Sequence, residues 1–60
     1  MFIKDLWIVL ADDQEVVIID SGRNLFKYHI GPVKTISVNL FDYLVRRIIV
    51  KDDKSLVIMV

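Results

Sequence analysis

The stretch from Leu44 to Val60 constrains this chain more than any other. It reads Leu-Val-Arg-Arg-Ile-Ile-Val, then Lys-Asp-Asp-Lys-Ser, then Leu-Val-Ile-Met-Val. Two β-branched runs flank a charged stretch too short for a helix, which predicts a β-hairpin with strands over 45–51 and 55–60 turning at Asp52-Asp53-Lys54. A strand with one face in water alternates apolar and polar residues, and neither of these does. Val45, Ile49, Val57 and Met59 fall on one pleat set, and Ile48, Val50, Leu56, Ile58 and Val60 on the other. The second set is larger and is assigned to the core. Ile49, Val57 and Met59 are then left on the outer face. There they are joined by Val16 and Ile18, or by Val17 and Ile19, from an earlier hairpin.

That earlier hairpin is legible too. Glu15 to Asp20 is β-branched and short, and Ser21-Gly22-Arg23-Asn24 follows as a turn with a glycine available for positive φ. Leu25 to Ile30 alternates, with Phe26, Tyr28 and Ile30 on one face and Lys27 and His29 on the other, until Gly31-Pro32 breaks it. Upstream, residues 2–11 admit a strand or a helix; Ile3, Leu6, Trp7 and Leu10 recur at i, i+3, i+4 and i+7, which favours the helix. Between the hairpins, Thr35 or Ser37 is placed to cap a second short helix over 37–43, with Ile36, Leu40, Phe41 and Leu44 on one side. The expected fold is α+β in the order α-β-β-α-β-β. Its sheet is four-stranded and mostly antiparallel, with both helices on one face of a single domain spanning 1–60.

The order of features resembles a loose group of very small accessory proteins encoded in phages and prophages of Gram-positive bacteria. The residues that carry the resemblance are Ile3-Lys4-Asp5-Leu6, Asp13-Gln14-Glu15-Val16-Val17-Ile18, Leu40-Phe41-Asp42-Tyr43 and Asp53-Lys54-Ser55-Leu56-Val57-Ile58. Gly31-Pro32 and Tyr43-Leu44 depart from the group. The resemblance implies the fold and a mobile-element origin. The group has no established activity, so no functional residue carries over.

Catalytic and metal chemistry find little to stand on. Asp20-Ser21-Gly22 after a β-branched run resembles the Asp-Ser/Thr-Gly motif of aspartic proteases, where two carboxylates share a proton across a dimer axis. Arg23 and Asn24 follow it, however, and sixty residues are too few for such a subunit, so a strand entering a turn explains it better. Asp12, Asp13 and Glu15 lack the alternating ligands, glycine and distal glutamate of a calcium loop. His29 is the only histidine, and the chain has no cysteine, which excludes a zinc site of the usual kind. Ser21, Thr35, Ser37 and Ser55 are scattered, with no base positioned beside them. The expectation is a protein that is not an enzyme and uses no cofactor or metal.

Charge narrows the partners. Eight basic and eight acidic side chains balance to zero, and Arg46 and Arg47, adjacent in a strand, point to opposite faces. Neither favours nucleic acid. No apolar run reaches the roughly 18 residues that cross a bilayer, and Lys4 and Asp5 interrupt the first apolar segment. The expected location is cytoplasmic, with no membrane partner.

The surplus of apolar residues has an energetic side. A chain this long exposes roughly 10,000 Å² unfolded and roughly 4,000 Å² folded. With about 60% of the difference apolar, burial at ~25 cal/mol/Å² gives on the order of 90 kcal/mol. Ordering at ~1.5 kcal/mol per residue costs about the same. A monomer is marginal, and a contiguous apolar patch outside the core marks an interface. The residues expected to form it are Ile49, Val57, Met59 and Val45; Trp7 is read first as a core residue, with a partly exposed anchor at the interface as the alternative. Two copies packed sheet to sheet, about 10 Å apart, would bury the patch. Edge pairing of the last strand is a second route to a homodimer. The functional expectation is a non-enzymatic protein-binding module, in keeping with a phage-encoded inhibitor that occludes a host protein such as a defence (anti-CRISPR-like) target. The alternative is a small nucleic-acid-associated or transcription-regulating accessory protein.

Overall fold

The structure, a computed structural model, describes residues 1–52 and 54–60. Asp53, in the turn expected at 52–54, lies outside the described residues. The elements are helix α1 (Ile3–Val9), strands β1 (Glu15–Asp20), β2 (Phe26–Pro32), β3 (Arg47–Val50) and β4 (Ser55–Met59), and two 3-10 turns, Val33–Thr35 and Val38–Leu40. The strands form one mixed sheet in the order β2-β1-β4-β3. β1–β2 and β3–β4 are antiparallel pairs, and the central β1–β4 pair is parallel. The fold is therefore α+β, with an antiparallel hairpin on each side of a parallel seam.

The centre goes to the strands that are apolar on both faces, because only a strand flanked on both sides and packed above can use them. Val16 and Ile18 of β1 and Ile58 of β4 are at most 1% exposed, and they lie side by side across the parallel pair, with Val16 beside Leu56 and Ile18 beside Ile58. On this inner face they meet Ile3 and Leu6 of α1, Val33, Ile36 and Leu40 of the 3-10 segment, and Val60. The last strand is thus central and presents no edge, which overturns the expectation that it pairs edge to edge. Burying the chain leaves 4168 Å² of accessible surface, and among the described residues no helix is long and apolar enough to cross a membrane.

α1 is shorter than the predicted 2–11. Its start is secured by Phe2 and Asp5: the Phe2 N–H donates to the Asp5 carboxylate at 2.8 Å, and the Asp5 N–H donates to the Phe2 carbonyl at 3.0 Å. A carboxylate in the first turn also suits the helix dipole. Two further N-terminal amides find acceptors in the 3-10 segment: Ile3 donates to Tyr43 at 2.9 Å and Lys4 to Phe41 at 3.1 Å. Leu10 is already extended, and a turn through Asp12-Asp13 follows. A two-turn helix is not stable alone; Ile3 and Leu6 hold it down.

The helix expected over 37–43 is absent. Ser37 does act as a cap, accepting from the Asn39 N–H at 3.3 Å, but what it caps is the 3-10 turn Val38–Leu40. Thr35, Val38 and Asn39 are poor helix formers. The Phe41 and Tyr43 carbonyls are turned to the Lys4 and Ile3 amides of α1.

The first hairpin departs from its expected pattern at one residue. Ile18 pairs with His29 and Ile19 with Lys27, so Tyr28 is an extra residue, a β-bulge. The bulge reverses the alternation. Phe26 and His29 pair with inner-face residues, whereas Ile30 pairs with Val17 on the outer face. Tyr28 and Ile30, expected to share a face, do not. Gly31 and Pro32 extend β2 rather than break it, with Gly31 at φ +139°, a conformation open to glycine. In the loop, positive φ falls on Asn24 and Leu25 rather than on Gly22.

β3 is shorter than the expected 45–51. Val45 precedes it, donating its N–H to Met1 at 2.8 Å, and packs partly buried against the core. Ile48 and Val50 sit on the inner face, opposite Ile58 and Leu56, yet are 45% and 72% exposed. Their expected place in the core is not realised, because α1 and the 3-10 segment cover β1 and β4 and stop short of the edge strand.

Candidate protein interface

Among the described residues, all covering elements pack on the inner face, and no element lies over the outer face of the sheet. Register places its side chains in rows. One row crosses all four strands as Ile30, Val17, Val57 and Ile49; the next reads Lys27, Ile19, Met59 and Arg47. The middle of both rows is apolar, and a cation stands at each end of the second. The central residues Val17, Ile19, Val57 and Met59 are half-buried by one another, and the flanking Ile30 and Ile49 are exposed. Neighbouring side chains on one face of a sheet contact one another directly, so the rows form one continuous patch.

Of the five residues singled out from sequence, the structure brings three together. Ile49, Val57 and Met59 share the outer face. Val45 does not join them and belongs to the rim of the core. Trp7 lies on α1, across the sheet from them; it is 39% exposed and rests edge-to-face on Phe41 at 5.4 Å. Of the two pairs left open for β1, Val17 and Ile19 are on the outer face, and Val16 and Ile18 are in the core. Sequence reasoning missed Ile30, since the bulge that moves it outward has no signature in Leu25 to Ile30. The only hint was the glycine after it, where backbone departs from regular strand.

Beyond the first row the outer face opens into a groove of about 560 Å³ whose lining includes Glu15, Val17, Ile30, Lys51, Lys54 and Ser55. Its floor is braced. Gln14 Nε2 donates to the Lys54 carbonyl at 2.8 Å and to that of Glu15 at 3.0 Å. The Asp52 carboxylate accepts from the Lys54 and Ser55 amides at 2.8 and 3.0 Å and from Ser55 Oγ at 3.1 Å. These bonds, the Lys54 amide first, hold its carboxyl below the usual value. The groove mixes both signs of charge and has one side open, a shape suited to side chains at the margin of a contact.

The other candidate residues are engaged in structure. Asp20 accepts the Tyr28 hydroxyl at 2.6 Å and the Gly22 amide at 2.8 Å, which lowers its pKa, and Ser21 Oγ donates to the Val60 carbonyl at 3.0 Å. The Asp-Ser-Gly sequence is a braced turn. His29 is half-buried, with Nε2 3.2 Å from the Gly31 carbonyl. Among the described residues, no three His, Asp or Glu side chains gather where they could hold a metal ion.

Geometry defines a class here: a small α+β protein whose mixed sheet is covered on one face and apolar on the other. Compared with models of protein families, with curated proteins and with solved structures, the chain matches none.

Proposed function

We propose that this chain is a non-enzymatic protein-binding module that presents the bare apolar face of its sheet to another protein and associates with itself as a homodimer. The observation that supports it is the row Ile30-Val17-Val57-Ile49, which crosses the whole sheet with no element over it among the described residues. A monomer rarely leaves such a patch to water. Apolar side chains framed by Lys27, Arg47 and the charged groove have the anatomy of an interface, a dry centre with a polar rim. In keeping with its resemblance to small phage and prophage proteins, the module acts in the cytoplasm as an inhibitor that occludes a host protein, a defence component being the fitting kind.

The test is capture of a partner from a host lysate by the wild-type protein, by Val57→Lys on the outer face, and by Ile8→Lys, whose side chain is 83% exposed on α1. One protein retained by wild type and Ile8→Lys and lost with Val57→Lys is the expected result. Equal retention by all three would remove the outer face from the proposal.

A further inference from the structure

The two edges of the sheet are not alike. On the β2 side, the Val33 N–H donates to the Gln14 carbonyl at 2.9 Å. In an antiparallel pair the bonded positions alternate, so Gly31 and His29 also face β1, while Pro32 and Ile30 face outward. Proline has no N–H to offer there, and the bulge at Tyr28 interrupts the same edge. Both devices block further strand pairing.

The β3 side has no proline. Its irregularity, with Arg46 and Arg47 both set against Met59 and the Arg46 N–H donating to the Met59 carbonyl at 2.7 Å, lies at the start of the strand and leaves Ile48 to Val50 regular. The Lys51 N–H donates to the Ser55 carbonyl at 3.1 Å, so alternation directs Ile49 and Arg47 to β4 and turns the N–H and C=O groups of Ile48 and Val50 to the open edge. All four residues of β3 are exposed, and three are β-branched and apolar. Its shortness limits such pairing to a few bonds, but free backbone groups with apolar side chains on both faces still offer a template for another strand.

We propose that β3 pairs antiparallel with β3 of a second copy, joining two four-stranded sheets into one of eight. This names the site of self-association in the homodimer reading above and rests on it. The register follows from the free groups. Pairing Ile48 with Val50 of the second copy, and Val50 with its Ile48, uses every outward N–H and C=O of the strand and sets Ile49 against Ile49. The row Ile30-Val17-Val57-Ile49 then runs on through Ile49, Val57, Val17 and Ile30 of the second copy without a break. Shifting the two-fold axis to Ile48 would set Arg47 beside Ile49 and interrupt that row. In the favoured register Arg47 and Lys51 of the two copies face each other at each end in solvent, where their repulsion is screened. Because like faces align, the inner-face pair Ile48 and Val50, left bare by α1, cover each other across the new seam. An unrelated extended peptide would satisfy the backbone but has no reason to supply this symmetry.

The experiment combines sedimentation with amide hydrogen exchange on the full chain. The expected result is a dimer in which the Ile48 and Val50 amides are protected, with protection lost on dilution. Val50→Pro removes an outward N–H and no β3–β4 bond, so it is expected to be monomeric with an unchanged circular dichroism spectrum. Val50→Lys gives the same reading should the proline variant not fold. A monomer at all concentrations, a dimer in which both amides exchange at loop rates, or folded dimers of both variants would each overturn the proposal. Protection that appears only when a foreign peptide is added would overturn the second copy as occupant. A wild-type monomer that still captures its partner through Val57 fails this proposal and leaves the protein-binding reading standing. A protected dimer that captures nothing does the reverse.

Discussion

Tyr28 donates its hydroxyl to Asp20 Oδ2 at 2.6 Å, tying the extra residue of the β2 bulge to the end of β1. The bond depresses the Asp20 pKa below its ordinary 3.8, with the Gly22 amide adding to it. It also raises that of Tyr28 above 10.0. The stability that Asp20 contributes is therefore present above 3.8 and lost as the pH falls through its lower folded value. That of Tyr28 is complete below 10.0 and lost as the pH rises through its raised value. Tyr28→Phe is expected to flatten both limbs of a plot of melting temperature against pH. Parallel curves for the two proteins would show that the bond contributes nothing.

Leu25 stands at φ +60° with its side chain 57% exposed. A left-handed conformation costs a residue with a Cβ about 1–2 kcal/mol, and little packing is lost by truncating it. Leu25→Gly is expected to stabilise the protein by about 1 kcal/mol in urea denaturation. A loss of stability would mean that the leucine makes contacts that outweigh the strain.

Gly31 makes the opposite case. A Cβ there would meet Thr35 Oγ1 at an ordinary 3.6 Å, so there is room for it, but φ is +139°. The backbone alone resists a side chain. Gly31→Ala is expected to destabilise by about 1–3 kcal/mol, read as a lower urea midpoint at constant m-value.

Ile58 is fully buried and Ile8 is 83% exposed. Ile58→Ala should cost about 2–5 kcal/mol through lost burial and a cavity, enough to unfold a small domain of ordinary stability. Ile8→Ala should stay within about 0.5 kcal/mol. Far-UV circular dichroism with thermal melts separates the two; similar losses at both sites would place Ile8 in an interface.

The sequence by itself determined the strands and which side of the closing hairpin faces inward, while leaving open which pair of β1 residues does. Glu15 to Asp20 is a strand wherever it packs, and so is most of Leu56 to Val60, because β-branched runs bounded by charged turns admit little else. It also determined that apolar side chains outnumber the places one inner face can hide them, which put Ile49, Val57 and Met59 outside. Long-range choices were not legible. That β4 lies beside β1 in parallel, and so becomes central rather than an edge, depends on which strands gain most by being flanked; Val16, Ile18 and Ile58 decide it together, and no local window contains all three. The second helix gave way because Thr35, Val38 and Asn39 are poor helix formers, and the segment closes in 3-10 turns from which the Phe41 and Tyr43 carbonyls reach the start of α1. The bulge at Tyr28 moved Ile30 to the bare face, and the limited reach of α1 left Ile48 and Val50 uncovered. The second of these leaves β3 an open edge, while β4, its partner in the closing hairpin, stays central. Both outcomes belong to the tertiary structure because they depend on what stands over a strand, and a strand's own residues do not say what covers it.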